Sequence, residues 1–299
     1  MNFSSATLAC FVQVCQDRSF SQAAERLGKS QSAISTQVAQ IEKELGIKLI
    51  DRSNRPLLLT EAGRLFLDFA RDVLNKSESF ERYLSEFSSG IAGEVRVGAS
   101  TSVGTHILPG IISDLLRRFP NLKISLLTQA RSLVFESVRR GDVDFGLVLC
   151  DRPPDGLAVQ TLKTEPLWFF ISPKHALAKR RSIKLVDLRT IPFVVGPKGT
   201  EYTEMITRVL SNHLLSTYRV TARISNFDGL KELVRVGLGI GVLPRFVVRR
   251  EIREGHLDQV KVRGFNASAD IMRVESFQHL STPTITRIKE MITSAVLNY

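Results

Sequence analysis

The sequence predicts an α/β protein preceded by a small, helix-rich head and a long helix. Three observations carry that expectation. Residues 19–60 hold two short helical stretches on either side of Leu27-Gly28-Lys29, the spacing of a helix-turn-helix, and then a hairpin. Residues 60–88 read as one helix with apolar residues at heptad spacing. From residue 94 onward, strand-like and helix-like segments alternate in the βαβ rhythm of an open sheet covered on both faces.

Residues 3–16 form a first helix whose Leu8, Phe11, Val12 and Cys15 cover the helix-turn-helix pair. Gly28 suits the left-handed position just past a helix end. In the next helix Ile34, Val38, Ile41 and Leu45 recur at helical intervals and make a buried stripe. The opposite face carries Ser32, Ser35, Thr36 and Gln40, with Gln31 at its entrance. It is short, uncharged and rich in hydroxyls and amides, as suits an element that hydrogen-bonds to base edges and phosphate oxygens in a major groove. Residues 47–60 read as a small wing whose tip bears Arg52 and Arg55, guanidinium groups able to lie on a phosphate backbone. A helical hairpin serving only as scaffold is the alternative reading of this spacing.

Ser19-Phe20-Ser21-Gln22-Ala23-Ala24-Glu25-Arg26-Leu27, Ser30-Gln31-Ser32-Ala33-Ile34-Ser35, Gln37, Ile41-Glu42, Leu45-Gly46, Leu49, Arg52 and Leu59-Thr60-Glu61-Ala62-Gly63 resemble the amino-terminal signature of LysR-type transcriptional regulators. Domain order and size extend the resemblance over the whole chain. Two positions depart from the pattern: Ser32 stands where the family usually has proline, and Ile50 where an aromatic is common. The resemblance implies a winged helix-turn-helix (residues 1–59) that reads double-stranded promoter DNA through Ser30, Gln31, Ser32, Ser35, Thr36, Gln37, Gln40, Arg52 and Arg55. It also implies contact with RNA polymerase and a homodimer that assembles to a homotetramer.

Thr60 caps the long helix. Phe66, Phe69, Val73, Phe80, Tyr83 and Phe87 fall on a heptad a/d pattern broken by Lys76, a seam that asks for a partner helix. At ~1.5 Å per residue the helix is roughly 40 Å long. Residues 60–89 thus read as a linker and dimerisation helix. Pairing gives two recognition helices, which read half-sites about one helical turn, roughly 34 Å, apart. Packing of the stripe on its own chain is the alternative. Residues 88–93 form a small joint.

Beyond it come a strand at 94–99, a helix at 105–119, a strand at 122–128, a helix at 132–140 and a strand at 143–149. Segments 157–163 and 166–172 cross into a second unit, built from strand 192–195, helix 200–215, strand 220–224, helix 227–236 and strand 240–243. Segment 257–262, strand 269–276 and helix 282–297 complete the chain. Two α/β lobes joined by two crossing segments resemble the periplasmic-binding-protein-like (type II) effector domain of the LysR family. That places lobe 1 at residues 93–162 and 268–299, and lobe 2 at 163–267, within an effector-binding domain at 90–299. A ligand in such a fold lies between lobes, at the carboxyl ends of strands. Ser100, Thr101 and Ser102 follow the first strand and open a helix, an arrangement that favours an anion or serves as a plain cap. By resemblance Thr128, Gln129, Leu149, Lys198, Thr200, Asn226 and Phe227 face the same cleft. The run Gly98-Ala99-Ser100-Thr101-Ser102 looks like members governing sulfur assimilation or carbon fixation, which points to a small oxyanion or phosphorylated metabolite, with aromatic carboxylates as the alternative.

The apolar fraction of 43% supports real cores. No apolar run is long enough to span a bilayer and residues 1–4 do not read as a signal peptide, so a cytoplasmic protein without membrane partners is expected. The net charge of +11 sits outside the helix-turn-helix: residues 1–88 carry eleven basic and eleven acidic side chains, leaving thirty against nineteen for the rest. That excess is no argument for DNA binding by the head. Cys10, Cys15 and Cys150 have no metal-ligand spacing and read as packing residues. The five histidines are scattered, so neither metal nor cofactor is expected. Gly237-Leu238-Gly239-Ile240-Gly241 has the wrong spacing for a dinucleotide site and leaves a helix instead of a strand. No nucleophile elbow, P-loop or zinc-protease motif occurs, which leaves an enzyme disfavoured. A ligand-independent repressor or architectural protein with an unused cleft remains the alternative to a ligand-responsive regulator.

Overall fold

The computed structural model describes residues 3–53, 56–86, 91, 93–180, 182–212, 218–277 and 281–299. The chain divides into two compact units: the first takes the residues up to Gly93 with the short stretches 139–142 and 281–284, and the second takes the rest. The first holds helices α1 (Ser5–Asp17), α2 (Phe20–Arg26) and α3 (Gln31–Leu45), a hairpin of β1 (Ile50–Asp51) and β2 (Leu58–Leu59), and α4 (Glu61–Glu86). Serine hydroxyls start the first three helices: Ser4, Ser19 and Ser30 accept from the Thr7, Gln22 and Ala33 amides. Gly28 (φ +61°) closes α2 in the left-handed region as expected. The Thr60 hydroxyl accepts from the Gly63 amide at 2.9 Å and donates to the Lys48 carbonyl at 2.8 Å, which caps α4 and ties it to the wing. A Cβ on Gly63 would lie 2.0 Å from the Leu49 carbonyl oxygen, so only glycine lets α4 pass so close.

Leu8, Phe11, Ile34, Val38 and Ile41 are buried together in this unit. Two expected faces shift by part of a turn. On α1, Cys10 and Val14 are buried, whereas Val12 and Cys15 are half-buried; Leu45 at the end of α3 is also half-buried. The cause is that α1 packs on α4 as well as on the helix-turn-helix, so its buried face is wider than one stripe.

The second unit is built from β3 (Gly93–Ser100), α5 (Thr101–His106), α6 (Leu108–Arg118), β4 (Leu122–Gln129), α7 (Arg131–Arg140) and β5 (Phe145–Cys150), then β6 (Ala158–Ile171), β7 (Ile183–Lys184) and β8 (Phe193–Val195). There follow α8 (Glu201–Asn212), β9 (Val220–Arg223), α9 (Phe227–Arg235), β10 (Gly241–Pro244), α10 (Arg245–Arg253), β11 (Asp258–Val260), β12 (Val262–Arg263), β13 (Ser268–Glu275) and α11 (Pro283–Asn298). One sheet runs β10-β6-β13-β5-β3-β4, with β11 also on β6. Strand β6 serves both lobes: residues 158–166 pair with β13, and residues 167–171 pair with β10 and β11. In lobe 2, β8 and β9 are parallel neighbours, and a bridge from Phe193 to Ile240 links them toward β10.

Three expectations are corrected here. The helix expected at 105–119 is two helices broken at Ile107, with Pro109 in the first turn of α6, where a missing amide is harmless. The two crossing segments expected at 157–163 and 166–172 are one strand. Pro166 does not end it because it sits where β6 changes partners, and the Leu167 amide resumes the ladder on the Ala267 carbonyl. Helix α10 is absent from the sequence reading. Five of its nine residues are charged, yet Phe246, Val247 and Val248 are all buried.

Candidate nucleic-acid interface and ligand cleft

Helix α3 presents Gln31, Ser32, Thr36 and Gln40 to solvent and half-buries Ser35. Gln31 Oε1 accepts from Ser21 Oγ at 3.0 Å, Thr36 Oγ1 donates to the Ser32 carbonyl at 2.8 Å, and Gln40 Nε2 donates to Glu44 Oε1 at 3.1 Å. These internal bonds are on an exposed face, where a base edge or phosphate can replace them. Two proposed contacts have other tasks. Ser30 is the N-cap of α3. Gln37 is half-buried and turns Oε1 inward, where no donor among the described residues meets it. It sits one residue before Val38 on the packed side of the helix, so it is not part of the outward row. Arg55 lies outside the described residues.

Arg52 is held beside this face from three sides. Its Nη1 reaches Ser35 Oγ at 3.4 Å, its Nη2 reaches Glu42 Oε2 at 3.4 Å, and its guanidinium lies 5.1 Å from the Phe20 ring centre. Glu42 is 3% exposed and also accepts from the Leu49 and Ile50 amides at 2.9 and 3.2 Å and from Lys48 Nζ at 3.1 Å. Burial pushes the Glu42 carboxyl up, but the two amides and Lys48 outweigh it and hold it below the usual carboxylate range.

On α4, Phe66 is corrected as a seam residue. It is 8% exposed, with its ring 5.1 Å from Phe11 and 5.5 Å from Phe3, so the head takes it into its own core. Val73 is half-buried against the same core. Phe69 and Phe80 are exposed, at 50% and 53%, and so are Leu65 and Leu84. At about 100° per residue, Leu65, Phe69, Val73, Phe80 and Leu84 fall within one arc roughly 100° wide. Phe87 and the side chain of Tyr83 lie outside the described residues.

In the second unit a cavity of about 450 Å³ opens between the two lobes, within the range of small-molecule sites. Lobe 1 contributes Ser100, Thr101, Ser102, Gln129, Arg131 and Leu149 to its wall, and lobe 2 contributes Thr200, Glu201, Tyr202 and Phe227. Ser100 Oγ accepts from the Leu149 amide at 3.0 Å, which pins the ends of β3 and β5 together and leaves its own proton free to donate into the cleft. The Tyr202 hydroxyl donates to the Val242 carbonyl at 3.1 Å, and its ring meets Phe227 edge-on at 5.0 Å; burial raises its pKa well above the ordinary value. Three expected wall residues are not there. Thr128 is turned onto Gly104, Asn226 accepts from the Gly229 amide as the N-cap of α9, and Lys198 is an exposed loop side chain.

Two family models match this chain: "Bacterial regulatory helix-turn-helix protein, lysR family" over residues 6–64 and "LysR substrate binding domain" over residues 88–295. The chain belongs to the LysR family. This LysR protein is 32% identical to an uncharacterized HTH-type transcriptional regulator, YfeR, of Shigella flexneri, over 82% of its own length and 79% of the relative's. It is 28% identical to a probable RuBisCO transcriptional regulator of Gracilaria tenuistipitata var. liui, over 83% and 82%. Its fold matches full-length CbnR in complex with target DNA at a TM-score of 0.71 and 20% identity, covering 98% of this chain and all of that one. It is a DNA-binding transcriptional regulator of LysR type and not an enzyme. No helix among its described residues is long and apolar enough to cross a membrane.

The LysR chain also uses residues that the sequence reading passed over. Glu42 was named only as part of the amino-terminal signature, and its burial follows from a hairpin folding back over α3. Arg131 and Glu201 stand near the starts of α7 and α8, where a charge usually reads as a solvated helix end. Leu65 and Leu84 lie off the strict heptad and share the exposed arc because a straight helix advances by 3.6 residues per turn instead of 3.5.

Proposed function

We propose that this LysR regulator binds promoter operators as a homodimer assembling to a homotetramer, and that a small anionic metabolite in the cleft changes how it holds DNA and meets RNA polymerase in the cytoplasm. The observation that carries the reading is the wall of the cleft. Ser100, Thr101, Ser102, Thr200 and Arg131 line one cavity together with Leu149, Tyr202 and Phe227. Neutral donors beside the Arg131 cation suit an oxyanion, with Glu201 as the one acid of the described wall, and the apolar wall accommodates the body that carries it. The resemblance of residues 98–102 to members governing sulfur assimilation or carbon fixation favours a small oxyanion or phosphorylated metabolite, and a probable RuBisCO transcriptional regulator is among the relatives. The uncharged exposed row on α3, with Arg52 beside it, supports operator reading by the head. The exposed apolar arc on α4 supports pairing with a second copy. For the ligand to act as a switch it must bind one lobe arrangement more tightly than another.

Genomic fragments selected by the purified protein supply the operator. Footprints and bending angles on that operator, taken with and without a panel of phosphorylated and carboxylated metabolites, test the response. At least one metabolite shifts the protected region. Identical footprints and bending across the panel count against ligand control.

A further inference from the structure

Four charges close the rim of the cleft. Arg131 opens α7 and Asp151 follows β5, both in lobe 1; Glu201 and Arg208 lie on α8 of lobe 2. Asp151 Oδ2 accepts from Arg208 Nη2 at 2.6 Å, and Asp151 Oδ1 lies 3.4 Å from Arg131 Nη1. Arg131 Nε lies 3.8 Å from Glu201 Oε2, while Glu201 Oε1 accepts from the Ser132 amide at 2.9 Å. The charges alternate in sign, sum to zero and tie the lobes together. Burial pushes the Asp151 carboxyl up, but Arg208 and Arg131 outweigh it and hold it below its ordinary range, so this link is ionised at neutral pH.

Only two of these residues line the cavity. Among the described residues of its wall, Arg131 is the one cation and Glu201 the one anion. Their side chains are 18% and 33% exposed, so water screens the pair less than it screens a surface pair. An anion entering the cavity therefore meets a guanidinium already matched by a carboxylate of the opposite lobe.

We propose that Glu201 sets the charge preference of the cleft: an anionic ligand gains the Arg131 guanidinium and the Ser132 amide only by displacing the Glu201 carboxylate, and that displacement removes the tie at the start of α8 while the Arg208–Asp151 pair still holds its middle to lobe 1. The proposal rests on reading the cavity as an anion site. It makes Glu201 an internal competitor that rejects weak anions, since a ligand must exceed what Glu201 already supplies. It also couples occupancy to lobe movement, because the group displaced belongs to the other lobe.

The test uses the full chain and inorganic sulfate at constant ionic strength. Sulfate is titrated by calorimetry into the wild type, Glu201→Gln and the double variant Glu201→Gln with Arg131→Gln, and exchange of the Ser132 amide is followed in each. Glu201→Gln binds sulfate at least about tenfold more tightly than the wild type, a difference that calorimetry resolves. The double variant loses the gain, and the Ser132 amide exchanges faster in ligand-free Glu201→Gln than in the wild type. Equal, measurable affinity in wild type and Glu201→Gln overturns the role of Glu201 and leaves the anion reading standing. A gain that survives removal of Arg131 puts the ion elsewhere and overturns it as well. Binding to none of the three proteins overturns both this proposal and the anion reading.

Discussion

Arg52 Nη2 lies 3.4 Å from Glu42 Oε2, so the guanidinium proposed for the DNA backbone is anchored by a carboxylate rooted in the recognition helix itself. The same carboxylate receives the Leu49 and Ile50 amides at the start of the wing. One side chain thus fixes both the hairpin and the charge it carries relative to α3. Glu42→Ala leaves two buried amides without an acceptor and is expected to cost about 2–4 kcal/mol. Glu42→Gln keeps an acceptor oxygen and costs less, about 1–2 kcal/mol. Hydrogen exchange at Leu49 and Ile50 reads the difference: both amides lose protection strongly in Glu42→Ala and more weakly in Glu42→Gln. Unchanged protection in Glu42→Ala would refute the anchoring.

The same carboxylate gives the head a pH dependence of known sign. Its carboxyl titrates lower in the folded head than in the unfolded chain, where the value is about 4.3. As the pH falls, the unfolded chain therefore takes up the proton first. The stabilisation is fully present above about pH 5 and is lost as the pH drops through the folded value. Melting curves from neutral to acid pH should show the wild type above Glu42→Gln at neutrality, with the gap closing in acid. A gap that stays constant would assign the effect to packing.

In DNA binding, Gln31 and Arg52 are expected to fail in different ways. Gln31 is exposed at the entrance of α3 and its side chain bonds to Ser21, so Gln31→Ala should cost about 1–3 kcal/mol on the operator and little on random DNA. Arg52→Ala should weaken binding to every sequence alike and lower the salt slope by about 1. Affinities on operator and competitor at several salt concentrations separate the two. An Arg52→Ala variant with an unchanged salt slope would remove it from the backbone contacts.

The outward row of α3 and the capping residues were legible in the sequence because they depend on spacing along one helix: Thr60 caps α4, Gly28 closes α2, and Ile34, Val38 and Ile41 are buried. What depends on a second element was not. Gln37 and Glu42 look alike on a helical wheel, and only the packing around α3 decides that one turns inward and the other holds the wing. In the cleft, Ser100, Thr101 and Ser102 follow directly from a strand-to-helix junction and line the wall. Of the adjacent pairs expected there, Gln129 and Phe227 line the wall, whereas Thr128 and Asn226 do not. A strand or a helix start turns neighbouring side chains to different sides, so one member of each adjacent pair misses the wall. Arg131 and Glu201 escaped for a simpler reason: seventy residues of chain separate two charges that meet only when the lobes fold together.

The long helix supplies the last contrast, between two phenylalanines at equivalent heptad positions. Phe66 is buried by Phe3 and Phe11 of its own head, whereas Phe80 is exposed on the arc shared with Leu65, Phe69 and Leu84. Phe66→Ala should therefore cost about 3–5 kcal/mol of head stability and leave the association state unchanged at temperatures where the head is folded. Phe80→Asp should do the reverse. It sets a charge in the middle of the proposed helix pair, where an unpaired carboxylate is costly to bury, while the isolated chain barely notices it because the position is already solvated. Sedimentation of both variants, with melting curves alongside, decides between pairing and a merely exposed stripe. A Phe80→Asp protein as dimeric as the wild type would rule out pairing through this face of α4.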